Sequence, residues 1–92
     1  MATILKVDGT EQVLTDLELA SLQKEVGGYI EAVRLLDGRL AFINEEGKLK
    51  GLPINERASL LYGRDEIVGA MVILTAEEER QQEQDDDEED EA

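Results

Sequence analysis

The chain contains no cysteine, no histidine and no tryptophan, and the first two absences exclude whole classes of chemistry. Without cysteine there is neither a disulfide framework nor a thiolate to bind metal or act as a nucleophile. Without histidine the chain lacks the commonest general base at neutral pH and the commonest ligand of transition metals. Carboxylates, hydroxyls and amines remain, but no nucleophile is spaced with a base beside it. We therefore expect no enzymatic activity, no metal site and no cofactor.

Long apolar runs are also missing. The chain begins MATILKVDG, which is a strand pattern rather than a signal peptide. No stretch approaches the roughly 20 apolar residues of a membrane-spanning helix. A chain of 92 residues makes at most one small domain. These features predict a single-domain cytoplasmic protein that does not enter a membrane.

The net charge of −14 is divided unevenly along the chain. Residues 77–92 hold eleven acids and one base, a charge of −10, whereas residues 1–76 hold twelve acids and eight bases, a charge of −4. The seven consecutive acids of Asp85–Glu91 repel one another and build no core. The composition predicts a folded domain over residues 1–75 and an acidic, largely disordered tail over residues 76–92. A DNA mimic needs acidity over its folded body, so we rank a DNA-mimic inhibitor third, behind the two function classes given below.

Asp8-Gly9 and Asp37-Gly38 predict two β-hairpins, because an Asp-Gly pair between strand patterns is typical of a two-residue type I′ turn. In the second hairpin that turn places Leu35 opposite Leu40 and Val33 opposite Phe42. Side chains alternate between the faces of a strand, so these four residues are predicted to share one inward face. The hairpins would join Ala2–Val7 to Thr10–Leu14, and Tyr29–Leu36 to Arg39–Asn44.

The same register gives the second hairpin two polar features. Arg34 and Arg39 are predicted to project from an outer face that also carries Ala32, Ala41 and Ile43, a mixture that resembles an interface more than a fully wet surface. Glu31 is predicted to lie opposite Asn44, as a polar pair at the end of the apolar face. We favour a structural use of this pair over a binding use, because polar side chains beside a tight turn usually satisfy its backbone groups.

Two helices are predicted from their capping signals. Thr15-Asp16-Leu17-Glu18 has the spacing of a capping box, and Gly27-Gly28 is a stop signal, so the first helix is expected to be long. Its apolar face would carry Leu19, Leu22 and Val26. The second helix is predicted over Glu56–Tyr62, with Asn55 as its N-cap and Gly63 as its end.

The run Ile67–Leu74 is continuously apolar and predicts a central strand buried on both faces, where Gly69 admits the close approach of a neighbour. The order of elements is typical of an α+β fold. We expect a small β-grasp-like mixed sheet of about five strands, packed on one long helix, with one short helix and the last strand beside the first.

Several short motifs occur in an order and spacing that resemble one uncharacterised family, the domain of unknown function 3846. They are Val26-Gly27-Gly28-Tyr29-Ile30-Glu31, Asn44-Glu45-Glu46-Gly47-Lys48-Leu49, Gly51-Leu52-Pro53-Ile54-Asn55 and Ile67-Val68-Gly69. The resemblance covers roughly Ile4 to Leu74 and leaves the acidic tail outside. It implies a bacteriophage or mobile-element accessory protein that acts inside a bacterial cell, and it carries no activity. The chain has Ile54 where a second proline is common.

The candidate binding residues follow from these patterns. Gly27-Gly28 exceeds what a helix end requires, so a ligand or a second subunit can approach the backbone there. Arg34 and Arg39 suit an acidic partner, a phosphate or the chain's own tail. The full set is Gly27, Gly28, Tyr29, Glu31, Arg34, Arg39, Asn44, Glu45, Lys48 and Asn55.

Two function classes follow. The leading one is a binding protein that engages a host or viral protein with a basic surface, such as a nucleic-acid-binding or defence protein, through the outer sheet face and the tail. The alternative is an oligomer that binds a nucleotide-like or other small anionic molecule beside Gly27, Gly28, Glu31, Asn44 and Lys48. Direct nucleic-acid binding is not expected from a body with net negative charge and three aromatic residues. The tail either solubilises the protein, attracts the partner or masks the arginines.

Overall fold

One antiparallel sheet of five strands, in the order β2-β1-β5-β4-β3, organises the structure. The computed structural model describes residues 1–81. A helix, here α3, begins at residue 76 and is described through residue 81. The other elements are β1 (Ala2–Leu5), β2 (Glu11–Leu14), α1 (Leu19–Val26), β3 (Ile30–Arg34), β4 (Leu40–Asn44), α2 (Glu56–Tyr62) and β5 (Met71–Ile73).

The central position predicted for the last strand is confirmed. β5 lies between β1 and β4, and all three of its residues are buried. The strand is shorter than the predicted Ile67–Leu74, because Gly69 has a φ of 77° and turns the chain before β5 begins. Gly69 also admits a close neighbour as expected, since a Cβ atom there would lie 2.9 Å from Leu52 Cδ1.

The α+β class and the five strands are confirmed, but the sheet is not mixed. Every pairing between its strands is antiparallel, including that of β1 with β5. The sheet also packs on both faces. Val72 and Leu74 lie in a core with Leu22 and Val26 of α1, whereas the neighbouring Met71 and Ile73 lie in a second core with Ala58 of α2. A mixed sheet with one covered face, the β-grasp-like arrangement, is therefore not what the described chain forms.

Both hairpins are confirmed, but their turns are one residue longer than predicted. Gly9 and Gly38 have positive φ, but no residue other than glycine does in the described part of the chain. Asp8 and Asp37 therefore cannot form the type I′ turn, which needs two successive residues with positive φ. Each aspartate instead accepts the N–H two residues ahead, from Thr10 at 2.9 Å and from Arg39 at 3.0 Å. The result is a three-residue loop that ends in a glycine bulge.

This extra residue shifts the strand register by one. As a result, half of the side chains predicted to share one face of the sheet lie on the opposite face. Ala32, not Val33, is opposite Phe42, and Val33 is opposite Ala41. A shift of one residue moves a strand's side chains to the other side of the sheet. Val33 accordingly packs in the core below α2, and Phe42 packs in the core below α1. The predicted shared face of Val33, Leu35, Leu40 and Phe42 was wrong.

α1 has eight residues, so the expectation of a long helix was wrong. Thr15 does not cap it. Asp16 binds the start of the helix instead, accepting the Glu18 N–H at 3.0 Å and the Ser21 hydroxyl at 2.6 Å. The helix ends at Gly27 as predicted, but Leu19 is exposed rather than buried.

α2 begins after Asn55 and ends at Gly63, as predicted. α3 is also capped by side chains, because Thr75 Oγ1 accepts the Glu78 N–H at 3.2 Å while Glu78 Oε1 accepts the Thr75 N–H at 3.0 Å. The composition assigned residues 76–92 to a largely disordered tail, but residues 76–81 of that segment form this helix. The predicted disordered run Asp85–Glu91 lies outside the described residues.

Candidate binding site

An acidic cleft of about 250 Å³ opens on the α2 side of the sheet. It is bounded by the ends of β3 and β4, by the turn that follows β4, and by the loop from the end of α2 to residue 68. Four carboxylate residues and one lysine line it together with apolar side chains. The charged lining residues are Glu31, Glu45, Lys48, Asp65 and Glu66.

Lys48 and Asp65 join the two loops that bound this cleft. Their side chains form an exposed ion pair, with 2.5 Å between Nζ and Oδ2. The hydrogen bond from Lys48 lowers the pKa of Asp65, and the same bond raises the pKa of Lys48. Both groups therefore keep their charges at neutral pH, and the pair leaves Glu31, Glu45 and Glu66 to give the cleft its negative character.

Glu31 and Asn44 do not form the predicted cross-strand pair. In the observed register Glu31 is opposite Ile43, and Asn44 is opposite Ile30. Glu31 is therefore exposed in the cleft, whereas the Asn44 amide is turned to the α1 side. The cause is the same one-residue difference in the hairpin loop that separated Val33 from Phe42.

Asn44 has a structural role. It is 4% exposed, its Nδ2 donates to the Val26 carbonyl at 3.0 Å, and its Oδ1 accepts the Glu46 N–H at 2.8 Å. One side chain thus satisfies the end of α1 and the turn after β4. Asn44 thus satisfies a backbone group of the turn, which is the structural role expected for the predicted pair. Glu31 does not take part in this role and faces the cleft.

Gly28 needs no ligand to explain the absence of its side chain. A Cβ atom at this position would lie 2.7 Å from Lys50 Nζ and 3.1 Å from Asn44 Nδ2. Lys50 Nζ also lies 3.4 Å from the Gly27 carbonyl oxygen. The close approach predicted at Gly27-Gly28 is therefore made by side chains of the chain itself.

The residues of the predicted nucleotide-like site are only partly brought together, because Glu31, Asn44 and Lys48 line the cleft whereas Gly27 and Gly28 do not. Gly27, Gly28 and the Asn44 amide lie at the end of α1, on one side of the sheet. Glu31 and Lys48 lie in the cleft on the other side. The sheet separates the two groups, and the carboxylates of the cleft repel a phosphate.

Arg34 and Arg39 do not share an outer face. Arg34 is opposite Leu40 on the α1 side, where it contacts the Gly38 carbonyl at 2.9 Å and Glu79 of α3 at 2.6 Å. Arg39 lies on the α2 side and pairs with Asp37 at 2.8 Å. The contact with Glu79 shows that the beginning of the predicted tail reaches one arginine of the pair.

The last two candidates have different surroundings. Tyr29 is exposed just before β3, and its carbonyl oxygen accepts the Glu45 N–H at 2.9 Å. Asn55 is completely buried. Its Nδ2 donates to the carbonyls of Leu5 and Gly69 at 2.9 and 3.0 Å, and its Oδ1 caps α2. Asn55 therefore ties three segments together and is not available to a partner.

An open groove of about 430 Å³ adjoins the cleft and shares Glu66 with it. Ile54 and Leu60 supply its apolar surface, and Leu60 is 77% exposed. Asp65, Glu66 and Leu60 are not among the candidate residues predicted from the sequence. The polar run from Gly63 to Glu66, between a helix stop and an apolar strand, is the signal that marks this loop as a candidate site.

Residues 1–81 contain no group of three or more histidine, cysteine, aspartate or glutamate side chains arranged to hold a metal ion. No helix in that part of the chain has both the length and the apolar character needed to cross a membrane.

The family match is broader than the motifs indicated. Residues 1–91 match the family model described as domain of unknown function, DUF3846. The match includes the acidic tail, which lies outside the region of roughly 4–74 covered by the quoted motifs. No curated protein and no solved structure matches the chain significantly. The chain belongs to the DUF3846 family.

Proposed function

We propose that this chain is a non-enzymatic accessory protein of phage or mobile-element origin that binds a basic segment of a host or viral protein in the bacterial cytoplasm. The observation that carries the proposal is the acidic cleft beside an exposed apolar groove on the α2 side. Exposed apolar surface with a polar rim is typical of protein-binding sites. The acidic rim selects a partner that presents lysine or arginine around an apolar residue.

The position of this surface differs from the one expected from the sequence. In residues 1–81 a helix packs on each face of the sheet, and Ala41 and Ile43 of the predicted outer face lie in or against the core below α2. Cleft and groove meet at Glu66 and form one continuous surface, with the 86% exposed Leu49 on the far side of the cleft. The net charge of the whole chain acts in the same direction, because a charge of −14 attracts a basic partner over long range.

The cleft suits a side chain better than a nucleotide. Its volume of about 250 Å³ lies below the range of roughly 300–1,000 Å³ that is typical of small-molecule sites. Glu31, Glu45 and Glu66 provide acceptors for an ammonium or guanidinium group, and the Tyr62 ring lies in the same lining. A lysine or arginine side chain of a partner protein fits this chemistry.

Affinity capture from a bacterium that carries the phage or mobile element tests the proposal. The full chain, its Glu66→Lys variant and its Glu18→Lys variant serve as baits. Glu18 is exposed on the α1 side and makes no capping hydrogen bond, so its reversal changes the net charge by the same amount away from the cleft. We expect the wild type and Glu18→Lys to retain the same protein and Glu66→Lys to lose it. If both variants lose the captured protein equally, binding depends only on net charge, and the assignment of the site to the cleft is contradicted.

The non-enzymatic part of the proposal has its own test. The purified protein is expected to turn over no nucleotide, nucleic acid or peptide, since the sequence has neither a cysteine nucleophile nor a histidine base. A reproducible activity that Glu31→Gln abolishes would contradict it.

A further inference from the structure

β3 is an edge strand and has β4 as its one strand neighbour in residues 1–81. An edge strand presents backbone donors and acceptors on its open side, where another extended chain can pair with it. β2, the opposite edge of the sheet, provides an internal comparison.

The observed hydrogen bonds identify which groups of β3 face outward. The Leu35 N–H donates to Arg39, and the Tyr29 carbonyl accepts from Glu45, both at 2.9 Å. Backbone groups alternate along an antiparallel strand, so the odd-numbered residues between these two positions face β4. The N–H and C=O groups of Ile30, Ala32 and Arg34 therefore point away from the sheet.

The side chains along this edge leave space for an added strand. Ala32 is exposed and carries only a methyl group at the middle of β3. Glu31, the residue before it, projects to the other face and lines the acidic cleft. A strand that pairs along β3 thus places every second side chain on the side of Glu31 and the cleft.

We propose that the basic partner binds by adding an extended segment to β3 as a further strand, with its lysine or arginine side chains directed to the cleft. This inference rests on the proposed function and names the form in which the partner binds. The main-chain bonds of such added strands supply affinity, and the alternate side chains supply specificity. Charge favours a basic segment over a second copy of this chain, because two copies of net charge −14 repel each other.

Amide hydrogen exchange in the unmodified full chain tests the pairing directly. The probe is a synthetic peptide of alternating lysine and valine residues. The control peptide has the same side chains and an N-methylated backbone, which lacks the donors for a ladder. We expect the first peptide to slow exchange at Ile30 and Ala32 by about tenfold or more, and the control to leave these amides unchanged. The outward amides of Glu11 and Val13 on β2 should not respond to either peptide.

Proline variants test the same edge by affinity. Ala32→Pro removes an outward N–H that pairs with nothing in β4, and Val13→Pro is the matched change on the β2 edge. We expect Ala32→Pro to weaken binding of the lysine–valine peptide about tenfold and Val13→Pro to leave it unchanged. Thermal melting of both variants checks folding, and the exchange experiment decides the question if either is unfolded.

The outcomes separate the two proposals. If Glu66→Lys loses the peptide while Ala32→Pro and the exchange of the β3 amides are unaffected, the added strand is overturned and the acidic site stands. If the wild type does not bind the peptide, or if Glu66→Lys and Ala32→Pro both bind it as the wild type does, both proposals are overturned. If exchange at the same amides slows without peptide, and slows further as the protein concentration rises, the strand that pairs with β3 belongs to a second copy of this chain. That result would overturn the proposal that a basic segment binds there.

Discussion

Two buried asparagines determine much of the local structure around the cleft. Asn44 connects the end of α1 to the turn after β4. Asn55 connects the start of α2 to Leu5, the last residue of β1, and to Gly69 in the loop before β5. An amide side chain suits both positions because it offers a donor and an acceptor without a charge. A buried carboxylate in either place would lack the donor and require desolvation of its charge.

Alanine variants of Asn44 and Glu31 separate a structural role from a binding role, the two alternatives that the sequence left open for these residues. Asn44→Ala should lower the free energy of unfolding by about 1–3 kcal/mol, because the Val26 carbonyl and the Glu46 N–H lose their partner. Glu31→Ala should leave the melting temperature nearly unchanged and weaken partner binding. Urea denaturation beside a binding assay measures both effects. A strong loss of stability in Glu31→Ala would show that its carboxylate is structural.

The Lys48–Asp65 pair predicts a dependence of stability on pH. The pKa of Asp65 is lowered in the folded chain, so its contribution is present above the unfolded value near 3.8 and is lost as the pH falls through the folded value. The pKa of Lys48 is raised, so its contribution is present below 10.5 and is lost as the pH rises through the folded value.

Denaturation of the wild type and Lys48→Met across this pH range measures the contribution. The difference in stability between them should be small, since both partners are exposed, and should vanish at acidic and at strongly alkaline pH. Lys24→Met removes a charge from α1 and is the control. A difference that persists well below the ordinary pKa of aspartate would contradict the ion pair as its source.

Among the secondary-structure elements, the two hairpins have the same type of turn. Asp8 and Asp37 occupy the same position in their loops, accept the N–H two residues ahead, and are followed by a glycine with positive φ. The aspartates supply a hydrogen bond, and the glycines supply the left-handed backbone. Together they add a residue to each loop, and this addition determines which side chains reach each face of the sheet.

Gly38 gives a clean test of this turn. No heavy atom lies within 4 Å of a Cβ atom placed there, so the cost of a side chain is confined to the backbone at its φ of 95°. Gly38→Ala should lower stability by about 1–2 kcal/mol, and Gly38→Asn should lower it less, because asparagine tolerates positive φ. Chemical denaturation compares the two. An alanine variant as stable as the wild type would contradict the left-handed turn.

At the scale of the molecule, α3 joins the beginning of the acidic segment to the folded body. Glu79 contacts Arg34 on the edge strand, and Glu78 lies 3.4 Å from the amino group of Met1. Thr75 and Glu78 cap each other's backbone N–H groups. The cationic partner of each ion pair is exposed, so the joint contribution of these contacts to stability is modest.

Truncation separates α3 from the residues that follow it. A chain that ends at Gln81 should melt like the full chain, whereas one that ends at Ala76 should fold but melt a few degrees lower, as expected for a loss of about 1 kcal/mol. Partner binding by the chain ending at Gln81 should be weaker and less dependent on salt than binding by the full chain, because the eight acids of residues 82–92 are absent. Failure of the chain ending at Ala76 to fold would place the domain boundary beyond α3.

Local sequence signals were sufficient to predict the hairpins, the bounds of α2, the end of α1, the central position of the last strand and the division of charge. Each of these depends on a local signal, such as a cap, a glycine stop or an apolar run, that neighbouring residues complete. Glu31 was chosen from the predicted register, which was wrong, whereas Glu45 and Lys48 are polar residues of the turn that follows β4.

Tertiary structure decided the register, the covering of both sheet faces and the composition of the cleft. An Asp-Gly pair permits loops of two or three residues, and the choice depends on which register buries Val33 below α2 and Phe42 below α1 at the same time. Asp65 and Glu66 are distant from Glu31 in sequence and meet it only because α2 returns across the sheet. Local patterns contain no information about such a meeting, since it is set by how the two cores pack on opposite faces of one sheet.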